Sequence, residues 1–274
     1  MSATHQPSPL AKLEQKTIQE IILKGKRIDD RGAFDYRPLE ITLGAVEKAN
    51  GSAQVHLGKT KVVAGVKIQT GTPFEDTPNE GILTVNAEFV PLAYPTFEAG
   101  PPDENSIELA RVVDRGIRES KAIDLQKLCI DPGKKVFVVF VDIYILDHDG
   151  NLIDAAGMAA LGALVNAKMQ EFELKSGEVR YKDSKMPLPM QNYPVPITTV
   201  KIGSSLVVDP VLEEEQVMSC RLTVTTGKND DVCAMQKGGL GTFTPEEIKQ
   251  VVSTAIQKSR DLRTKIVSKV NYRA

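Results

Sequence analysis

Alternation of apolar and polar positions predicts strands through the first half of the chain. Residues 53–57 alternate strictly, after an Asn-Gly dipeptide at 50–51 that is typical of a hairpin turn. A second turn at Gly58-Lys59 leads into a further strand over 60–69. His56 falls on the polar side of this alternation, which favours an exposed strand histidine over a ligand. The densest run of β-branched and aromatic residues, 135–147, predicts the strongest strand, and weaker patterns predict strands over 36–43 and 82–92.

Helix signals are clearest near the end of the chain. Thr244-Pro245-Glu246-Glu247 combines an N-cap, a proline at the first helical position and a capping-box glutamate. A similar box, with Asn105 as the cap and Glu108 three positions on, predicts a helix over 105–121. Residues 154–170 are so rich in alanine and glycine that this predicted helix must lie very close to a neighbouring surface. A short amphipathic helix is predicted over 13–23.

Composition predicts a domain boundary between residues 175 and 196, where charged, polar and proline residues accumulate. Strand-like runs follow at 197–202, 205–208, 221–226 and 232–236, before the final helix. Strands precede helices in both halves, which predicts an α+β fold. The start of the chain contains two prolines and no periodicity, and we expect residues 1–19 to be flexible.

Composition narrows the functional classes. The chain has 274 residues with a net charge of −2, so any nucleic-acid binding must come from a local patch. Its longest strictly apolar run spans only residues 136–141, far below the roughly 18 residues that a membrane span requires. Three cysteines without a CxxC pair and three scattered histidines predict neither a zinc site nor a disulfide framework. We therefore expect a cytoplasmic chain without a cofactor.

Three arginines on one side of the predicted helix over 105–121 form the most informative pattern. Arg111, Arg115 and Arg118 fall within an arc of about 60° at the helical repeat. A row of guanidinium groups suits a run of phosphates, because each presents paired donors to phosphate oxygens. The alternative is a solvated face, in which Asp114 pairs with Arg118 and Glu119 with Arg115.

Acidic residues cluster after the predicted strand over 205–208. Asp209, Glu213, Glu214 and Glu215 could hold a magnesium ion through one or two carboxylates and water. Pro210 and three successive glutamates also describe an ordinary polar turn or helix start, so the metal interpretation stays weak. Asp209 and Glu215 are the candidate ligands.

Two further patterns are weaker indications of a binding or catalytic site than the arginine row. The glycine-rich loop over 237–241 precedes a helix, as phosphate-binding loops do, but glutamates in that helix's first turn would repel an anion. His148-Asp149 followed by Asp154 suggests acid–base chemistry, although Leu152 and Ile153 between them weaken the idea. Residue patterns alone therefore indicate an α+β intracellular protein with one arginine stripe.

Motifs in a consistent order along the chain resemble the RNase PH superfamily, specifically the non-catalytic RNase-PH-like subunit of the archaeal exosome ring. The resemblance covers roughly residues 20–270, and the run over 97–115 is its most diagnostic part. The matching stretches are 27–32 (RIDDRG), 36–40 (YRPLE), 50–53 (NGSA), 58–60 (GKT), 97–115 (FEAGPPDENSIELARVVDR), 206–210 (LVVDP) and 235–238 (MQKG).

The resemblance implies a two-part RNase PH fold of mixed β-sheets flanked by helices, with domain 1 over 20–185 and domain 2 over 190–274. It also implies a six-membered ring of alternating catalytic and non-catalytic subunits that degrades RNA from its 3′ end with phosphate as the nucleophile. The family places the helix over 105–121 beside the neighbour's active site, which makes Arg111, Arg115 and Arg118 candidate RNA contacts.

Departures from the catalytic pattern indicate that this chain is inactive by itself. Catalytic subunits resemble Gly-Ser-Arg at the turn where this chain has Asn151, Leu152 and Ile153, and aliphatic side chains cannot neutralise a phosphate. Catalytic subunits also carry an arginine pair where this chain has Glu104 and Asn105. The catalytic spacing of two carboxylates survives in Asp209 and Glu215.

The expected function is therefore a non-catalytic subunit that pairs with a catalytic homologue, beneath RNA-binding cap subunits, and guides single-stranded RNA. A phosphorolytic 3′-to-5′ exoribonuclease active by itself is the alternative. An unrelated small-molecule-binding protein is a third class. We also expect strand edges and the helix rich in alanine and glycine to pack against neighbouring subunits.

Overall fold

A mixed β-sheet forms the larger layer of the molecule. The computed structural model describes residues 9–175 and 178–271. The six strands of this sheet are β1 Leu39–Leu43, β2 Gly51–Leu57, β3 Thr60–Gly71, β4 Ile82–Phe89, β5 Cys129–Asp131 and β6 Lys135–Asp147. They lie in the order β1-β2-β3-β6-β4, with β5 paired to β6, and all pairs are antiparallel except β4 with β6.

A hairpin and an antiparallel sheet follow in the second half of the chain. β7 (Lys168–Lys175) pairs with β8 (Glu178–Pro187) to form the hairpin. β9 (Val195–Ile202), β10 (Ser205–Val208), β11 (Cys220–Thr226) and β12 (Val232–Gly238) form the sheet in the order β10-β9-β11-β12. The α+β prediction is confirmed, and the predicted strands over 135–147 and 205–208 have the observed bounds.

The helices fill the space between and beside the two sheets. They are α1 Pro9–Leu23, α2 Glu104–Glu119, α3 Leu152–Val165, α4 Leu212–Val217 and α5 Pro245–Asn271. α3 packs against β2 and β3 on one side and β9 on the other, and it also contacts α2 and α5. One hydrophobic core therefore runs through both halves of the chain.

The small residues of α3 allow close packing on both sides, as the sequence predicts. A Cβ atom at Gly157 would lie 2.4 Å from Cγ of Pro196, and one at Gly162 would lie 2.8 Å from Cβ of Ala53. Every residue from Leu152 to Leu164 is buried within the chain itself. The expectation that this helix packs against neighbouring subunits is therefore wrong, because its whole circumference is already covered.

Helix starts show one confirmed and one wrong prediction. The capping box at α5 forms, with Thr244 Oγ1 accepting from the Glu247 backbone N–H at 3.2 Å and the Glu247 carboxylate accepting from the Thr244 N–H at 2.8 Å. At α2 the cap is Asp103 rather than Asn105, since the Asp103 carboxylate accepts from the Ser106 N–H at 2.8 Å. Either polar residue could cap a helix locally, and the sequence does not distinguish them.

Other boundaries also differ from the predictions. α1 begins at Pro9 rather than Leu13, so residues 9–19 of the predicted flexible start are helical, while residues 1–8 lie outside the described part. The helix predicted over 154–170 ends at Val165, and β7 starts at Lys168. Residues 178–187 of the predicted boundary segment form β8, whose residues 180–185 are all exposed, so no apolar alternation marks it as a strand. The domain division at 20–185 and 190–274 stays a prediction.

No helix within the described residues is long and apolar enough to cross a membrane.

Candidate functional site

The α2 helix presents its three arginines to solvent, as the sequence predicts. Arg111, Arg115 and Arg118 are exposed, while the opposite side of the helix is buried against the core. The buried residues are Leu109, Ala110, Val112, Val113, Gly116 and Ile117. The amphipathic pattern thus fixes which way the arginines point.

The three arginines differ in what they contact. Arg118 donates to both carboxylate oxygens of Asp114 at 2.7 and 3.0 Å and to the Leu83 carbonyl at 3.0 Å. The hydrogen bond to Asp114 raises the pKa of Arg118 above its ordinary value. Arg111 and Arg115 form no hydrogen bond or ion pair with any described residue, so the Arg115–Glu119 pair considered from the sequence does not form.

A groove runs along the arginine side of α2, with a volume of about 590 Å³. Gln236 of β12 lines its far side. Four acidic side chains share the groove: Asp114 is paired with Arg118 and Glu108 accepts from Arg221 at 2.6 Å, whereas Glu104 and Glu119 add negative charge beside the arginines. The guanidinium groups of Arg111 and Arg115 thus lie in an open groove without a partner among the described residues.

Asp209, one of the two metal candidates, is occupied by hydrogen-bond donors. It lies at the end of β10 with a fully buried side chain and a left-handed backbone (φ 50°). Its carboxylate accepts from the Arg37 guanidinium at 2.8 and 3.0 Å and from the Arg31 guanidinium at 2.9 Å. The Arg37 N–H and Asn151 Nδ2 donate to it as well, both within 2.8 Å.

These donors set the charge of Asp209. Burial disfavours its ionised form, but the charge of Arg37 and the hydrogen bonds from Arg37 and Asn151 together outweigh burial and lower the pKa of Asp209 below its ordinary value. With five donors around two oxygens, this carboxylate has no remaining lone pair for a metal ion. Asp209 is therefore a structural anion that joins the chain segment around Arg37 to the second sheet.

The other acidic residues of the cluster point in different directions. Glu214 forms a buried ion pair with Arg27, at 2.5 and 2.9 Å. Glu213 is exposed. Glu215 accepts from the Asn151 backbone N–H at 2.9 Å, and burial raises its pKa to about 7. Within the described residues no group of three acidic, histidine or cysteine side chains could hold a metal ion.

The turn before α3 has no free cation among the described residues, because Arg37, which donates to the Asp149 and Gly150 carbonyls, is held by Asp209. Asn151 adopts a left-handed conformation (φ 52°) and uses Nδ2 to donate to Asp154 and Asp209. Leu152 and Ile153, at the start of α3, are buried. A phosphate at this turn would meet aliphatic side chains and nearby carboxylates, which stabilise no negative charge.

Asp154 and His148 do not form an acid–base pair. The Asp154 carboxylate accepts from the Tyr36 hydroxyl at 2.6 Å and from the backbone N–H and hydroxyl of Thr198 at 3.0 and 2.8 Å. Burial nevertheless raises the pKa of Asp154 to about 6. His148 stacks on the Phe97 ring, 5.6 Å between centroids, and burial lowers its pKa.

A second opening, the α3 cleft, lies at the N-terminus of α3 and has a volume of about 230 Å³. Its lining combines aromatic rings from the end of β4, the loop before α2 and the turn after β6 with polar groups from α2, α4 and β11. The lining residues are Phe89, Phe97, Asn105, Glu108, Leu109, His148, Asn151, Leu152, Ile153, Thr198, Glu215 and Arg221.

Several important contacts are absent from the sequence-based expectations. The pairs Arg37–Asp209, Arg27–Glu214 and Arg221–Glu108 join residues more than 110 positions apart, and no local pattern predicts them. The only available signal is that Arg27, Arg31 and Arg37 lie in the motifs that resemble the RNase PH superfamily.

Comparisons with known proteins agree with this architecture. Models of the 3′ exoribonuclease family match twice, domain 1 over residues 35–170 and domain 2 over residues 192–258. The chain is 56% identical over 248 residues to Exosome complex component Rrp42 of Pyrococcus horikoshii, covering 90% of each chain. It is 50% identical over 263 residues to the protein of the same name from Thermococcus kodakarensis, covering 95% of this chain and 97% of that one.

A solved structure is similar over nearly the whole chain. A chain of the Archaeoglobus fulgidus exosome with RNA bound to the active site superposes with a TM-score of 0.86 and 46% identity, over 93% of this chain and 98% of that one. The α+β sheets, the central helix α3 and the order of the two matched domains are thus those of a known fold. The chain belongs to the RNase PH family of 3′ exoribonuclease domains.

Proposed function

We propose that this chain is a non-catalytic component of an exosome core ring that degrades RNA from its 3′ end with phosphate. It pairs with a catalytic RNase-PH-like homologue in an alternating six-membered ring in the cytoplasm, helps to structure that homologue's active site, and contributes contacts to the RNA backbone. RNA-binding cap subunits complete the complex. The names of its relatives support exosome membership.

The non-catalytic assignment rests on the contrast between the turn before α3 and the arginines of α2. The turn before α3, where the resemblance places phosphate in catalytic subunits, has two aliphatic side chains and no free cation among the described residues, while Arg111 and Arg115 on α2 form no ion pair with any described residue. Phosphoryl transfer depends on positioned positive charge, so the residues of this turn do not support attack of phosphate on RNA. Unpaired arginines in an open groove instead suit binding of phosphates without sequence preference.

The non-catalytic assignment is tested on the purified full-length chain. We expect no nucleoside diphosphate when it is incubated with 3′-labelled single-stranded RNA and inorganic phosphate, and phosphate-dependent release once the catalytic homologue is added. Release of nucleoside diphosphate by the chain alone would establish the alternative, an exoribonuclease active by itself. A chain that stays monomeric and does not copurify with the homologue would refute the ring assignment.

The RNA-binding role predicts the effect of an Arg111→Ala, Arg115→Ala double variant in the assembled complex. We expect intact assembly, weaker binding of single-stranded RNA and slower degradation by the partner. Each lost phosphate contact should reduce the slope of binding against salt by roughly 0.7 for a single strand. Arg118 contributes less, because Asp114 already holds its guanidinium.

The matched control is the Lys127→Ala, Lys134→Ala double variant. It removes the same charge from side chains that are 69% and 78% exposed and lie away from the groove. Equal loss of binding in both double variants would show that only net charge matters. Unchanged affinity and salt slope in the arginine variant would show that the stripe is only a solvated face.

A further inference from the structure

The groove along the arginine side of α2 has a second wall, to which the proposed function assigns no role. Every residue that lines this groove belongs to α2 except Gln236 of β12. Gln236 is partly buried, and its side-chain amide forms no hydrogen bond with any described residue. The amide therefore faces the proposed RNA path with its donors and its acceptor available to a bound strand.

Contacts within the second sheet, and between that sheet and α2, fix the position of Gln236. β12 pairs with β11, and Gln236 stands opposite Thr223, whose hydroxyl oxygen lies 2.8 Å from that of Thr198 in β9. Arg221 of β11 donates to Glu108 of α2 at 2.6 Å, which ties the sheet to the helix. Both walls of the groove thus belong to regular elements that hold their side chains in place before RNA binds.

Gln236 has a hydrogen-bonding capacity that the other side chains of the lining lack. The guanidinium groups only donate, the ionised carboxylates only accept, and the isoleucine and valine of the lining do neither. An amide both donates and accepts, as a hydroxyl group does. In the backbone of an RNA strand the 2′-hydroxyl also has both capacities, whereas phosphate oxygens only accept. The amide therefore matches the sugar better than it matches the phosphate.

Charges on α2 determine how a strand would lie in the groove. Arg111 and Arg115 are one helical turn apart, about 6 Å along the axis, and each offers paired donors to a phosphate. Glu104 and Glu119 line the same groove and repel phosphates, which confines the phosphates to the arginine pair. A strand held by its phosphates against α2 brings its sugars toward the opposite wall, where Gln236 lies.

We propose that Gln236 distinguishes RNA from DNA by hydrogen bonding to the 2′-hydroxyl of a nucleotide whose phosphate is bound by Arg111 or Arg115. The inference rests on the proposed RNA-binding role of α2 and adds sugar specificity to it. Phosphate contacts alone do not tell the two nucleic acids apart, because both backbones carry the same charge. The 2′-hydroxyl is the group by which a protein makes this distinction.

Binding of sugar-modified RNA to the assembled complex with the catalytic homologue tests the proposal. Fluorescence anisotropy is measured in phosphate-free buffer, so that phosphorolysis cannot consume the RNA, with single-stranded RNAs in which one ribose at a time is replaced by deoxyribose. We expect one position at which the replacement weakens binding by about two- to twelvefold, as the loss of a neutral hydrogen bond does.

The variant Gln236→Leu has a side chain of similar size without hydrogen-bonding atoms. In this variant the same replacement should have no effect, and an all-DNA strand should bind as it does to the unmodified complex. The matched control is Gln69→Leu, an exposed glutamine of β3 outside the groove, which should retain every deoxyribose effect.

Two results would overturn the role of Gln236. If every deoxyribose effect persists in Gln236→Leu, another group recognises the sugar, such as the Glu104 carboxylate or a residue of the partner. If Gln236→Leu weakens RNA and DNA binding equally, the side chain contacts phosphate or only packs. Either result leaves the RNA-binding role of α2 intact when the Arg111→Ala, Arg115→Ala variant still binds RNA more weakly. Normal RNA binding by that arginine variant would refute both the RNA-binding role and this inference.

Discussion

Replacing Asp209 with asparagine should destabilise the whole chain. The substitution keeps the shape of the side chain but removes the negative charge that accepts from Arg37 at 2.8 and 3.0 Å and from Arg31 at 2.9 Å. It also places an amide donor among groups that only donate. Arg37, whose side chain is only 6% exposed, would then lack its main counter-charge, whereas Arg31 would keep its ion pair with Asp29 at 2.6 Å.

The expected magnitude follows from this geometry. Removing one partner of a buried ion pair costs about 3–5 kcal/mol, because the remaining charge stays buried without compensation. Arg37 keeps a weaker pairing with Asp149 at 3.6 Å and hydrogen bonds to the Asp149 and Gly150 carbonyls, which favours the lower end. We therefore expect a loss of about 3 kcal/mol in the free energy of unfolding, or about 6–12 °C in Tm for a chain of this size.

Urea unfolding and thermal melting of the purified chain would measure this loss. The Glu213→Gln variant is the control, since it removes one exposed charge from the neighbouring helix and should change the free energy of unfolding by at most about 0.5 kcal/mol. A loss below about 1 kcal/mol for Asp209→Asn, with an unchanged urea slope, would refute the view that this carboxylate joins the two halves.

The pH dependence supplies a second check on Asp209. Its pKa in the native state lies below its ordinary value of 3.8, so the native state favours the ionised form. The stabilisation is therefore complete above the unfolded-state pKa and is lost as the pH falls through the native pKa. We expect the unmodified chain to lose stability below about pH 4 more steeply than the Asp209→Asn variant, and parallel curves would contradict this account.

Three further predictions concern packing, capping and titration. Gly157→Ala should reduce the free energy of unfolding by about 1–3 kcal/mol, because its Cβ would lie 2.4 Å from a proline ring. The Cβ of the control, Gly65→Ala, meets nothing within 4 Å and should not destabilise by overpacking, so equal effects of the two variants in chemical denaturation would contradict the close approach. Asp103→Ala should cost about 1 kcal/mol and Asn105→Ala much less, and the reverse order in thermal melts would restore Asn105 as the cap of α2. The pKa of Glu215 is raised to about 7, so the stability that this group contributes is present at low pH and is lost as the pH rises through 7. Glu215→Gln should therefore flatten the dependence of stability on pH between 5 and 8, and an unchanged profile would show that another group titrates there.

Local sequence patterns predicted the elements that are determined by residues close to them in sequence. The strand over 135–147 and the start of α5 were predictable, because apolar density and a capping box depend on neighbours in sequence. The orientation of Arg111 and Arg115 was predictable for the same reason, since the helical repeat places them opposite the buried side. These predictions needed no knowledge of distant contacts.

The errors arise where distant contacts decide the structure. β8 was not recognised, because its exposed faces carry no apolar alternation and its pairing with β7 supplies the order. The helix over 154–170 was extended five residues too far, because Asn166 ends it and no glycine or proline marks that position. The acidic cluster could not be interpreted from spacing, since its partners Arg27, Arg31 and Arg37 lie more than 170 residues earlier.

The position of α3 between the two sheets has a consequence for synthesis on the ribosome. This helix emerges after the first sheet but before β9 and α5, which cover the rest of its surface. A nascent chain that ends before residue 195 therefore exposes an apolar helix side with nothing to cover it. The two matched family domains cannot mature one after the other as independent units. Until the second sheet has been translated, the first half stays incompletely packed, and its exposed apolar surface can bind chaperones or associate prematurely.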